Sequence, residues 1–140
     1  MNEFMKEAIR LYKIGQGVMV EGPEAVCNKI EQTDADHSNF GRLTFLGDLG
    51  PDNKPTRLKY LPNDSIVESH TVMTYANWVI DPIGNCLCDI DVYTALMCKW
   101  NNGSVLIDRT RSYLGSFLAN KYINQGDDFK EYIRIVDKEV

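Results

Sequence analysis

A thiol, an imidazole and a carboxylate stand in order along this chain, at Cys27, His70 and Asp81. Together these group types can run acyl transfer. A thiolate attacks the acyl carbon, an imidazole takes and returns the proton, and a carboxylate holds the ring in one tautomer. The stretch from Ser69 to Pro82 reads as two strands with a tight connection, His70 near the start of the first and Asp81 ending the second. Groups on neighbouring antiparallel strands can face each other across the ladder. An oxyanion hole would use the Cys27 backbone N–H and a second donor near Gln16 or Gln32.

The pattern of His70 followed by Trp78-Val79-Ile80-Asp81-Pro82, with a cysteine upstream, resembles the papain-like and transglutaminase-like superfamily of cysteine enzymes. That resemblance implies a small cysteine hydrolase or acyltransferase, thiol-protease-like, acting on an amide or ester. Cys27 would be its nucleophile, His70 its base and acid, and Asp81 its orienting group, with no cofactor. In that superfamily the cysteine opens a helix, whose N-terminal dipole lowers the thiol pKa. Here Cys27 lies about a turn inside any helix begun at Pro23. If residues 25–30 are instead a strand, that device is absent.

Other clusters are weaker. Asp34, Asp36 and His37 could bind a divalent cation, but no EF-hand glycine or closing glutamate is in register, so a solvated loop is the plainer reading. Cys86 and Cys88, with Cys98 beyond, have C-x-C spacing rather than the C-x-x-C usual for zinc, and read as buried thiols sharing one face of a strand. No metal or cofactor is therefore assigned. Arg57, Lys59 and Tyr60, with Lys54 nearby, could meet a phosphate or an acidic partner, although a strand with one solvated face explains them as well.

The elements that must position these groups read as a single α+β domain over residues 1–140, a mostly antiparallel sheet flanked by N- and C-terminal helices. A helix is expected over residues 2–14, with Gly15 as its stop, and a short strand at 18–20. Residues 25–32 fit helix or strand equally, because Val26 and Ile30 share a side in both. Strands are expected at 42–46, 57–61, 66–73 and 77–80, and helices at 91–100 and 111–123. Residues 105–107 read as a short strand or helix lead-in, and 129–136 as a last strand or helix. The expected core is Leu11, Leu43, Phe45, Val72, Ile80, Leu96, Leu114, Phe117 and Leu118.

Composition narrows the function classes. A net charge of −5 argues against broad binding to nucleic acid or anionic membrane. The first residues carry neither a basic region nor an apolar run, so no signal peptide is expected, and no stretch suits a membrane span. The expected setting is cytoplasmic, with Cys27, Cys86, Cys88 and Cys98 as free thiols. Beside the enzyme stands a second class, a non-catalytic protein-binding module of the sort found among phage and host-interaction proteins.

Overall fold

The computed structural model describes residues 2–60 and 64–108 and the backbone pairing of 132–136. Its fold is α+β, with a sheet whose strands all pair antiparallel among the described residues. The expected helix over 111–123, with Leu114, Phe117 and Leu118, lies outside them.

Helix α1 (Glu3–Gln16) starts where the Asn2 side chain accepts the Met5 N–H at 2.7 Å, and it buries Ala8 and Leu11. Gly15 does not stop it, and the helix runs on to a cap at Gly17. Gly15 instead permits close approach: a Cβ there would lie 3.1 Å from both Pro82 Cγ and Val26 Cγ1. The expected strand at 18–20 is a 3₁₀ turn (Met19–Glu21), its Val20 side chain 92% exposed. Helix α2 (Pro23–Glu31) resolves the ambiguous segment. Pro23 takes the first helical position after Gly22, whose φ of +104° suits glycine.

The main sheet comprises β1 (Phe40–Gly47), β4 (His70–Tyr75), β5 (Trp78–Asp81), β6 (Cys86–Asp89), β7 (Ser104–Asp108) and β8 (Tyr132–Val136), in the order β6-β5-β4-β1-β7-β8. A separate two-stranded ladder pairs β2 (Leu58–Tyr60) with β3 (Ser65–Val67). The expected strand over 66–73 is thus divided: Ile66 belongs to the small ladder, and the main sheet begins at His70. Polar Glu68 and Ser69 mark the break, because β3 keeps an exposed side whereas every residue of β4 is buried. Helix α3 (Ile90–Trp100), capped by Asp89, precedes β7.

Alternation along the strands sorts side chains to two cores. Leu43, Phe45, Val72, Val79, Val105 and Ile107 pack with β2 and α3 on one face. Phe40, Met73, Tyr75 and Ile80 pack with α1 and α2 on the other. Val79 and Asp81 therefore share one face, and Trp78 and Ile80 the other, as the alternating pattern predicts. Helix α3 is rotated from its expected phase. Tyr93, Thr94, Met97 and Cys98 are buried, Leu96 is only half-buried, and Val92 is 52% exposed. The chain chooses the face that seats Tyr93 above Asp81. No helix among the described residues is long and apolar enough to cross a membrane.

Candidate functional site

The β4–β5 pair brings His70 and Asp81 together inside the β2/α3 core. The His70 Nε2 lies 3.2 Å from Asp81 Oδ2, and the residues are 4% and 2% exposed. A carboxylate can only accept, so Nε2 carries the proton and donates it. The same oxygen accepts from the Tyr93 hydroxyl at 2.7 Å and from the Tyr60 hydroxyl. The other, Oδ1, accepts the Gly84 backbone N–H at 3.3 Å. Each donor comes from a different part of the fold: β2, β4, α3 and the turn after β5. Gly84 is a glycine for a local reason, since a Cβ there would collide with the Tyr60 hydroxyl and sit 2.7 Å from Asp81 Oδ2.

The electrostatics follow from this enclosure. Burial pushes the Asp81 carboxyl up, but the hydrogen bond and charge of His70 and both tyrosine hydroxyls outweigh it, leaving the pKa below the usual aspartate value. Burial and the adjacent carboxylate push Tyr60 and Tyr93 well above the ordinary phenol value, so both remain donors. The Tyr60 ring also lies over His70, centroids 4.0 Å apart, and meets Trp100 edge-on at 6.3 Å. This arrangement ties four elements to one buried charge. It fixes the orientation of the imidazole, whose ring lies against that of Tyr60, and the residue paired with Asp81 across the β5–β6 ladder is Cys86.

Cys27 is elsewhere. It lies in the interior of α2, fully buried with Val26, Ile30, Met73, Tyr75 and Ile80, on the α1/α2 face of the sheet. His70 shares the side of Val72, and Asp81 the side of Val79, both in the opposite core. The sheet therefore separates the thiol from the imidazole–carboxylate pair, correcting the expectation that the three meet. The thiol's environment is also opposite to that of a nucleophile. Burial, the dominant influence, raises its pKa to about 12 despite the pull of Arg42, while Glu24 and Glu31 add to the rise. Arg42 is committed to α2: it donates to Glu31 through Nε at 2.7 Å and Nη2 at 2.9 Å, to Asn28 at 2.8 Å and to Glu24 at 2.9 Å.

No family model, curated protein or solved structure matches this chain. The site must therefore be read from its own geometry.

The remaining candidates divide. Among the described residues no three His, Cys, Asp or Glu side chains group as a metal site. Asp36 instead caps a 3₁₀ turn by accepting from the Ser38 N–H and hydroxyl, and the His37 ring lies 3.2 Å from the Thr33 carbonyl oxygen. Cys86 and Cys88 share an edge strand and are half-buried rather than enclosed, because β6 has no neighbour on its outer side among the described residues. Arg57 and Lys59 line an open cleft of about 330 Å³ with Asp48, Thr56, Asn102 and Ser104. The tyrosine donors were invisible to spacing rules. Tyr60 carries the signal of an aromatic at an inward strand position, but nothing local to Tyr93 points to a carboxylate.

Proposed function

We propose that this chain is a non-catalytic protein-binding module. The observation that supports it is that His70 and Asp81 satisfy each other and two tyrosine hydroxyls within one core, while Cys27 belongs to the core on the other side of the sheet. In this reading the histidine and the carboxylate brace the fold that presents a binding surface. The reading places the protein in the cytoplasm, in keeping with thiols at 27, 86 and 88 that form no disulfide.

Thiol alkylation tests it. With a pKa of about 12, the Cys27 thiolate fraction at pH 7.5 is on the order of 10⁻⁵ to 10⁻⁴. Iodoacetamide, followed by peptide mass spectrometry, is expected to label half-buried Cys86 and Cys88 first and Cys27 only as the protein unfolds. Preferential labelling of Cys27 at neutral pH would overturn the proposal in favour of a cysteine hydrolase or acyltransferase.

A further inference from the structure

The cleft beside β2 has features that single out a ligand class. Lys59 projects outward between the inward-facing Leu58 and Tyr60, and its ammonium has no ion pair among the described residues. Arg57 reaches Glu68 at 3.1 Å through Nε only, and both side chains are largely exposed, so that pair is weak and exchangeable. Among the described residues that line the cleft, the carboxylate is Asp48. Its Oδ1 accepts the Leu49 N–H, and its Oδ2 accepts the Ser104 hydroxyl. Arg57 and Lys59 thus stand with Asp48, whose oxygens are already hydrogen-bonded, and with Glu68, held only by an exposed pair, so Lys59 is the cation left to meet an added carboxylate, on a chain whose net charge is −5.

The backbone beneath Lys59 is held in place. Asn101, at the end of α3, accepts the Lys59 N–H at 2.8 Å and donates to the Lys59 carbonyl at 3.0 Å and the Met97 carbonyl at 2.8 Å. That grip joins β2 to α3, so a ligand meets a preorganised strand. The neighbouring strand adds an apolar element. Lys59 pairs with Ile66, and cross-strand partners share a face, so the 59%-exposed Ile66 stands beside the lysine on the outer side of the ladder. A free phosphate gains nothing from an isoleucine, whereas a peptide with an apolar residue near its acidic ones does.

Resting on the binding-module reading, we propose that the cleft and the outer face of β2/β3 dock an acidic segment of a protein partner. Arg57 and Lys59 take its carboxylates, and Ile66 takes an adjoining apolar side chain.

The test is an amide NMR titration of the full chain with a capped Gly-Glu-Glu-Leu-Glu-Gly peptide, with hexaglutamate and with inorganic phosphate. The mixed peptide is expected to give saturable shifts at residues 56–60 and 101–104. Its affinity should fall about tenfold in an Arg57→Ala/Lys59→Ala double variant and weaken as salt is raised. Ile66→Ser should reduce mixed-peptide binding to the level of hexaglutamate while leaving hexaglutamate unchanged. Absence of saturable shifts, equal binding by the double variant, or equally tight binding of phosphate would overturn the proposal. Failure here with Cys27 still slow to alkylate removes the cleft alone, whereas rapid Cys27 alkylation removes the non-catalytic reading.

Discussion

Replacing Asp81 by Asn tests whether the buried carboxylate is the keystone of the β2/α3 core. The substitution keeps the shape, so it creates no cavity, and its effect is electrostatic. If the amide oxygen takes the place of Oδ2, it still accepts from Tyr60, Tyr93 and His70, but through neutral rather than charge-assisted bonds. That exchange costs about 1 kcal/mol per bond. The amide nitrogen then faces the Gly84 N–H, donor against donor, leaving that group unsatisfied at a cost of about 1–3 kcal/mol. Removing a charge from the interior offsets part of this, so the net loss expected at pH 7 is about 2–4 kcal/mol. The pH dependence identifies the cause. The folded-state pKa of Asp81 lies below its unfolded value, so its contribution is complete above about pH 4 and is lost as pH falls through the folded pKa. Urea unfolding followed by tryptophan fluorescence, at intervals from pH 7 to pH 3, should show the gap between native and variant constant above pH 5 and narrowing below pH 4. A loss under about 1 kcal/mol at pH 7, or a gap indifferent to acid, would refute the reasoning.

Other outcomes follow from neighbouring contacts. Gly84→Ala forces a methyl between the Tyr60 hydroxyl and the Asp81 carboxylate and is expected to cost about 1–3 kcal/mol by thermal or urea unfolding. Arg42→Ala removes a two-point bond to Glu31 in a half-buried setting; a loss of about 1–3 kcal/mol is expected, and Lys should restore little because it cannot bond at two points. Met97→Ala should cost about 2–5 kcal/mol and Leu96→Ala markedly less, since α3 buries the former and only half-buries the latter. Tyr60 and Tyr93 have raised pKa values, so stability should decline from about pH 10 upward, as the unfolded chain releases protons that the folded chain retains. Tyr93→Phe should flatten that decline in alkaline unfolding curves.

Much of the sheet was legible because its strands have one dominant pattern. Leu43 and Phe45 alternate with Arg42 and Thr44, and Asp81-Pro82 ends a strand that pairs where expected. The His70–Asp81 contact was readable from two adjacent strands alone. The place of Cys27 was not. Val26 and Ile30 fix which side of the segment is buried, but nothing within it says which face of the sheet that side will meet. Gly15 shows the same limit, because a glycine that permits close packing and one that ends a helix look alike until Pro82 and Val26 arrive. In α3, hydropathy favoured Val92 and Leu96. The deciding contact was a tyrosine hydroxyl to a carboxylate twelve residues earlier, which an apolar periodicity cannot register.

Strand β1 has a consequence for how the chain reaches this fold. Thr44 pairs with Thr71 on one side and with Asp108 on the other, so the two halves of the main sheet share this one strand. On one side, β4, β5 and β6 form a meander of short connections that can zip locally. On the other, β7 must find β1 after the whole meander and α3 have been threaded between them. Closing so long a loop carries its entropy cost before any ladder bond repays it, so the β1–β7 seam is expected to form after the meander. During synthesis, β1 would emerge early and wait with one edge unpaired until β7 leaves the ribosome.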